Sequence, residues 1–214
     1  MKKEEVKNIE LKPIVINKAV ITIVGDSDLI LNKMDAPTTR MLTDQRKDKA
    51  RTSEKPNVWE EIITKIHWRD GTPKEFSEES LIDALQNNAP CISAFGLKKS
   101  FGQAVVRNEI DKYATKFDAS MNIVAENNLV PITFTEHHID EKLMSPKRGA
   151  PVLVRQNRFT GWSADIPIQY VDNSKSFPID VIIQVINYAG FSMGIGSGRS
   201  SGYGRYHVLD IKNQ

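Results

Sequence analysis

Residues 177–211 read FPIDVIIQVINYAGFSMGIGSGRSSGYGRYHVLDI and place a helix signal, a glycine-rich segment and a strand signal in direct succession. The isoleucines of the first part recur at the spacing of one helical face, at Ile179, Ile182, Ile183 and Ile186. Pro178 suits a first helical turn, and Gly190 suits the left-handed position that follows a helix. We therefore predict a helix over residues 179–189, although its β-branched residues also favour a strand.

The glycine-rich segment that follows holds half of the chain's 12 glycines, at Gly190, Gly194, Gly196, Gly198, Gly202 and Gly204. Successive backbone N–H groups in such a segment can cradle phosphate oxygens. No Gly-Lys-Ser/Thr follows, which excludes a Walker loop. A dinucleotide fingerprint would need a glycine where Ser201 stands, and a helix rather than a strand afterwards. Two interpretations stay open: a phosphate-binding loop, or a tight connection packed between the helix and the last strand.

Outward from this region, the remaining elements follow from apolar spacing and turn residues. Strands are predicted at residues 14–24, 129–134, 152–154, 162–171 and 206–211, with residues 157–160 as an irregular ribbon. Helices are predicted at residues 38–50, 58–68 and 77–85, and within residues 91–114. The order reduces to a β-α-β-β-α-β core, so we predict an α+β, ferredoxin-like (RRM-like) fold with a C-terminal glycine-rich loop. Residues 1–12 form a flexible tail, and residues 13–214 form one domain with a helical insertion at about residues 35–90.

The composition is that of an ordinary soluble globular protein, with 40% hydrophobic and 26% charged residues in 214. No apolar run approaches the length of a membrane span, and the opening MKKEEVKNIELK has no signal-peptide core. A single cysteine, Cys91, excludes an internal disulfide framework and is expected to be a buried apolar group. We therefore expect a cytoplasmic protein with no membrane partner.

The net charge of +2 says little, but the charges are unevenly distributed. Residues 142–158 hold five basic residues and no acidic one, and residues 40–55 hold six basic residues against three acidic ones. A nearly neutral protein with local basic stripes can bind a polyanion on one face. An unevenly charged, solvated surface is the alternative that the charge alone favours.

The glycine-rich segment also carries a family resemblance. Residues 196–204, GSGRSSGYG, match the G-x-G-R-S-x-G-Y/F-G core that leads into the final strand of RAMP superfamily proteins. Residues 92–100, ISAFGLKKS, are a weaker match to that family's early helix start, with its Leu-Lys pair. The chain thus resembles the RAMP superfamily, the RNA-binding proteins of CRISPR effector complexes, and especially their guide-RNA-binding backbone subunits. It is also similar to phage and prophage proteins that share an IGDSxLI motif near the start, a basic helix and a terminal AGFxxGIG, here at residues 24–30 and 189–196, with Val24 departing from the first motif.

The resemblance implies a protein that holds single-stranded RNA or DNA by its backbone, as a homo-oligomer or as a subunit of a ribonucleoprotein complex. Phosphate contacts require basic side chains, and stacking requires aromatic ones. The candidate binding residues are Lys98, Lys99, Arg107, Arg148, Arg155, Arg158, Gly198, Arg199, Ser200, Tyr203 and Arg205. Phe159 and Trp162 lie near Arg158 in sequence, although a tryptophan on an alternating strand, such as Trp162, more often belongs to the core. Arg155 and Arg158 on a hairpin edge also suit protection of that edge.

Catalysis has weaker support in the sequence. Some RAMP-type subunits cut target RNA with an aspartate in the loop after the first strand, where Asp26, Asp28 and Asp35 stand here. Loop aspartates more often form turns. Adjacent histidines such as His137 and His138 point to opposite faces of a strand, so we predict no shared metal ion and no cofactor.

Three functions follow. The first is a non-catalytic protein that binds single-stranded nucleic acid, RNA above all, and oligomerises along it. The second is a metal-dependent endoribonuclease that uses one of the three loop aspartates. The third is a phage protein that mimics a backbone subunit and interferes with a host defence complex.

Overall fold

The structure, a computed structural model, describes residues 14–46, 57–144, 151–171 and 177–213. Within these ranges the strands are β1 (Ile16–Gly25), β2 (Leu29–Leu31), β3 (His67–Trp68), β4 (Pro90–Ser93), β5 (Met121–Ile123), β6 (Leu129–Thr133), β7 (Glu136–Met144), β8 (Val152–Thr160), β9 (Ser163–Val171) and β10 (Tyr206–Asn213). The helices are α1 (Ala36–Arg46), α2 (Val58–Thr64), α3 (Glu78–Asn87), α4 (Ala94–Arg107), α5 (Ala114–Ser120) and α6 (Ile179–Ser192).

The main sheet runs in the order β10-β1-β9-β6-β4-β3, with β5 also paired to β9. Its pairings are antiparallel throughout. Because α4 connects β1 to β6 and α6 connects β9 to β10, the four strands β10-β1-β9-β6 have the order of a ferredoxin-like β-α-β-β-α-β unit. The predicted α+β class is confirmed.

Helices α4 and α6 pack against each other over one face of this sheet. Alternate residues of β1, such as Ile21 and Ile23, are fully buried beneath them. From the helices, Phe101 and Val105 of α4 and Ile186 of α6 are also fully buried. The predicted helix at residues 179–189 is present, with its isoleucine stripe on this sheet. It continues to Ser192, so the left-handed position predicted for Gly190 is wrong: Gly190 lies inside the helix, where a Cβ would meet the backbone of Tyr206.

A second sheet has the order β2-β8-β7 and stands beside the first. Strands β7 and β8 form a long antiparallel hairpin, paired from Glu136 and Thr160 to Met144 and Val152. The sequence analysis missed β7, and its irregular ribbon at residues 157–160 was wrong, because β8 is continuous through them. Polar side chains of β8 have hydrogen-bond partners on neighbouring elements. The buried Asn157 side chain, for example, bonds to His137 on β7 and to the Ile62 carbonyl of α2.

Other boundaries also differ from those predicted. The helix predicted over residues 58–68 ends at Thr64, since residues 67 and 68 pair with β4 as a short strand. The helix predicted within residues 91–114 begins only at Ala94, because residues 90–93 form β4. The flexible tail at residues 1–12, Arg148 and the end of the helix predicted at residues 38–50 lie outside the described residues. In the described part of the chain, no helix is both long and apolar enough to span a membrane.

Candidate nucleic-acid interface

A groove runs along helix α4, between this helix and the glycine-rich segment. Three neighbouring cavities of about 310, 610 and 400 Å³ share the side chain of Gln103 in their linings. The far end of the first cavity, which is the end away from the second cavity, is lined by Leu31–Lys33, His67 and Cys91–Ser93. The second lies under residues 196–200, and the third lies between α4 and α5. We call the first two cavities together the cationic groove, because of the charges described below.

The side chains that α4 presents to the cationic groove form a single stripe. Lys99, Gln103 and Arg107 are four residues apart, so they lie above one another on one helical face. Ser93 caps the start of the helix by accepting a hydrogen bond from the Gly96 N–H. The helix is tied to the opposite wall by its buried Ser100, whose hydroxyl donates to the Gly194 carbonyl over 3.1 Å.

The glycine-rich wall is held by backbone contacts. The Ser197 N–H donates to the Ile30 carbonyl over 2.9 Å, and the Gly204 N–H donates to the Asp28 carbonyl over 2.8 Å. Both glycines that flank Ile195, at 194 and 196, have positive φ, and a Cβ at Gly196 would meet the backbone of Ile30. The interpretation of a tightly packed connection therefore holds for this part of the segment.

The part of the segment that faces outward is the 3-10 turn Arg199–Ser201, bounded by Gly198 and Gly202 in the left-handed conformation. Arg199 and Ser200 are exposed and line the cationic groove. The predicted binding residues of this turn thus lie at the groove, while most other glycines of the segment serve its packing.

Five cations line the cationic groove: Lys33, Lys99, Arg107, Arg199 and Arg205. The described lining of the groove contains no carboxylate. Among the described residues, none of these five has a carboxylate partner at salt-bridge distance. Arg205 instead donates to two backbone carbonyls, that of Phe191 over 2.7 Å and that of Arg199 over 3.2 Å. Cations that no acid neutralises give the groove a positive potential.

The far end of the groove is less polar. Burial, together with the charge of Lys33, lowers the pKa of His67, so its imidazole is neutral at pH 7. Burial raises the pKa of the Cys91 thiol to about 11, and Cys91 is a buried free thiol as expected. The Cys91 thiol already donates to the Ala89 carbonyl, so this end offers the uncharged imidazole of His67 beside Lys33.

The basic residues of strand β8 have a different environment. Arg155 donates to Glu141 over 2.7 Å and to Glu61 over 3.2 Å. Arg158 donates to Asp140 over 2.8 Å and to Asp28 over 2.7 Å. These hydrogen bonds raise the pKa of both guanidinium groups. We call the carboxylate-paired cations Lys65, Arg155 and Arg158 the ribbon cluster; they do not line the cationic groove.

Two further predicted residues lie at the edges of the site. The Lys98 ammonium donates to the Asn122 side chain over 2.7 Å and lines the third cavity, together with the carboxylate of Asp118. The Tyr203 ring lies under the Lys142 ammonium, 4.9 Å from it, and packs on Gly198. Six of the predicted binding residues lie together at the cationic groove: Lys99, Arg107, Gly198, Arg199, Ser200 and Arg205.

The aromatic residues near Arg158 are not accessible. Phe159 and Trp162 have 0% exposure, and the Trp162 indole N–H donates to the Ser27 carbonyl. The core interpretation of Trp162 is confirmed, and stacking by Phe159 is wrong, because Phe159 of β8 and Trp162 in the turn between β8 and β9 both belong to the core.

The three loop aspartates have separate partners. Asp26 bonds to His207 over 2.6 Å, and Asp28 pairs with Arg158. Asp35 is buried and caps α1 by accepting the Thr38 N–H over 2.7 Å. His137 and His138 lie on strand β7 and bond to Asn157 and Glu136 respectively.

The exposed face of the main sheet, opposite α4 and α6, carries both signs of charge. The Asp165 carboxylate accepts a hydrogen bond from Thr22 over 2.6 Å. Lys18, Lys212 and Asp210 are exposed on the same face. The positive potential is therefore concentrated at the groove rather than on the sheet.

Sequence reasoning missed several residues of the groove. Gln103 follows Lys99 by one helical repeat, so the α4 stripe could have revealed it. Lys33, His67 and Ser197 reach the groove through contacts between distant segments, for which the sequence gives no local signal.

These features define an α+β protein with a ferredoxin-like sheet and a cationic groove beside a glycine-rich segment. The sequence matches no family model and no curated protein. Among solved structures, the chain is similar to Cmr6 from Pyrococcus furiosus, with 10% sequence identity and a TM-score of 0.41. That alignment covers 92% of this chain and 100% of the other.

Proposed function

We propose that this protein binds single-stranded nucleic acid, foremost RNA, along the cationic groove. The observation that carries the proposal is the set of five cations in a groove whose described lining holds no carboxylate. Phosphate contacts by lysine and arginine dominate the affinity of proteins for nucleic acid. The uncompensated cations are therefore explained by a polyanionic ligand.

The shape of the site favours a single strand. Proteins that read duplex DNA commonly insert a protruding helix or ribbon into a groove of the nucleic acid. Here the charges lie inside a groove of the protein, as in proteins that bind single strands. The polar side chains of Gln103, Ser197 and Ser200 suit hydrogen bonds to ribose hydroxyl groups. Together with the RAMP-like motif at residues 196–204, this supports RNA over DNA.

The proposed role is binding without cleavage, in the cytoplasm, as a repeated subunit along the strand or as part of a ribonucleoprotein complex. The partners of the three loop aspartates favour binding over the endoribonuclease alternative. In particular, Asp35 is engaged as a helix cap and Asp28 is paired with Arg158.

The test is fluorescence anisotropy of the full chain with a labelled single-stranded RNA between about 50 and 200 mM salt. Five phosphate contacts at about −0.7 each predict a slope near −3.5 for the logarithm of the binding constant against the logarithm of salt concentration. The double variant Lys99→Glu/Arg199→Glu should abolish most of the binding. The matched control Lys18→Glu/Lys212→Glu reverses the same number of positive charges, but on the exposed face of the sheet. It should bind RNA far better than the groove variant. No binding by the wild-type protein at the lowest salt, or an equal loss in both variants, overturns the proposal.

A further inference from the structure

Two phenylalanines beside the cationic groove are mostly exposed. The exposed fraction is 81% for Phe191 and 75% for Phe95. Phenylalanine is usually buried, and large exposed aromatic groups next to a charged groove are typical of binding surfaces. Single exposed apolar residues are common, so the position of these two rings beside the groove, rather than their exposure alone, points to a binding role.

Phe191 lies in the last turn of α6. The next two residues, Ser192 and Met193, line the groove, and the Phe191 carbonyl accepts a hydrogen bond from Arg205 over 2.7 Å. Ser192 also accepts a hydrogen bond from Asn108, the C-terminal cap of α4, over 3.3 Å. Phe191 thus lies near the C-terminal end of the α4 stripe.

Phe95 lies in the first turn of the same helix α4. Lys98 and Lys99 follow it by three and four residues, so Phe95 neighbours both: Lys99, which lines the groove, and Lys98, which lines the third cavity. Ser93 and Gly96 on either side of it line the groove. Along the helix axis, Phe95 and Arg107 are separated by about 18 Å, at about 1.5 Å per residue.

Three other aromatic side chains in the described part of the chain are already engaged. Phe159 and Trp162 are buried, and the face of Tyr203 carries the Lys142 ammonium. Single strands in charged grooves are normally held by stacking as well as by phosphate contacts. Among the described residues, Phe95 and Phe191 are more exposed than Tyr113 (55%) and Tyr188 (46%), and they adjoin residues that line the groove, so their exposure and position suit that role.

We propose that Phe95 and Phe191 are base-stacking platforms at the two ends of the groove, which hold unstacked bases while the cations between them hold the phosphates. This inference rests on the proposed function. The nucleobase is favoured over an apolar protein surface because such a surface would bury the neighbouring Arg205 and Lys99 without offering an anion. Stacking is largely independent of base identity, so the proposal predicts weak sequence preference.

The experiment compares two labelled strands of equal length, one RNA with bases and one with abasic residues throughout. Phe191→Ala and Phe95→Ala should each weaken binding of the normal strand about 5- to 150-fold, the range for loss of one stacked base. Neither variant should weaken binding of the abasic strand, and neither should change the salt slope, because no phosphate contact is lost. Leu209→Ala, which truncates another exposed apolar residue (64% exposed) on β10, is the matched control and should bind both strands normally. Phe191→Trp should retain affinity.

Each other result overturns the inference in a recognisable way. An equal loss on both strands means that the ring supports the fold or the phosphate contacts. Unchanged binding of the normal strand removes the stacking role, and a changed oligomeric state with unchanged binding assigns the ring to a protein interface. If the wild-type protein binds neither strand, the proposed function fails first and this inference fails with it.

Discussion

The cationic groove and the ribbon cluster are built from the same residue types, yet they differ in what surrounds the charges. Arg158 in the ribbon cluster has carboxylates on two sides, Asp28 and Asp140. Arg107 and Arg199 in the groove have none among the described residues. A polyanion that approached Arg158 would have to displace acids that are already bonded. The partner of a cation, more than its presence, therefore distinguishes a nucleic-acid site from a structural one.

The two regions also differ in what they contribute to folding. The half-buried ion pairs of the ribbon cluster connect the hairpin to α2 and to the loop after β1, as in the contacts of Arg155 with Glu61 and of Arg158 with Asp28. The groove instead gathers like charges, which repel one another in the absence of a ligand. We expect substitutions in the ribbon cluster to act on stability and substitutions in the groove to act on binding.

The largest difference in folding stability is expected when lysine is replaced by methionine at Lys65 in the ribbon cluster and at Lys99 in the groove. Lys65 is buried, and its ammonium donates to Glu61 over 2.6 Å and to the Arg155 carbonyl over 2.7 Å. Lys65→Met removes both hydrogen bonds, leaves Glu61 with only Arg155 as its cationic partner among the described residues, and should lower the free energy of unfolding by about 3 kcal/mol. Lys99→Met, at an exposed position in the groove, should change it by less than about 0.5 kcal/mol. Urea unfolding followed by circular dichroism measures both.

For RNA affinity, we expect the opposite order: the substitution at Lys99 has the larger effect and the one at Lys65 the smaller. At salt and urea concentrations where both are folded, Lys99→Met should bind RNA more weakly and Lys65→Met should bind it like the wild-type protein. If Lys65→Met lost affinity as strongly, the two regions would not be functionally separate.

Intermediate effects on stability and on the salt dependence of RNA binding are expected for Arg158 in the ribbon cluster and Arg107 in the groove. Arg158→Gln breaks contacts with two carboxylates and should destabilise the protein by about 1–2 kcal/mol, with the salt slope of RNA binding unchanged. Arg107→Gln should leave stability unchanged and reduce the magnitude of the slope by about 0.7, the contribution of one phosphate contact. Thermal unfolding and a salt titration of anisotropy give the two quantities. A reduced slope for Arg158→Gln would return Arg158 to the binding site that the sequence analysis proposed.

Sequence reasoning succeeded where the signal is local. The isoleucine spacing of α6 and the positions of Lys99 and Arg107 on one helix depend on residues a few places apart, and so does the exposed turn at Arg199. Strand β7, EHHIDEKLM, carries too little apolar alternation to be recognised without its partner β8. The environment of Arg155 and Arg158 depends on acids 94 and 130 residues away, which no local pattern reveals.

The smallest effect is expected for the pKa values of two half-buried histidines, His67 at the groove and His137 on the hairpin. Burial lowers the pKa of both below its ordinary value of about 6.5. Their contribution to stability is therefore fully present above about pH 6.5 and is lost as the pH falls through the folded-state values, because the unfolded chain then binds more protons. Phosphates in the groove favour the charged imidazole of His67 and have no such effect at His137.

Nuclear magnetic resonance titration of the imidazole signals, with and without a short single-stranded RNA, measures these two pKa values directly. RNA should raise the pKa of His67 by a fraction of a unit and leave that of His137 unchanged. RNA affinity should correspondingly increase as the pH falls below 6.5, and His67→Asn should remove that increase. Equal shifts of both histidines would mean that the strand lies across the hairpin as well. A shift of His137 alone would place the strand on the ribbon and reverse the comparison.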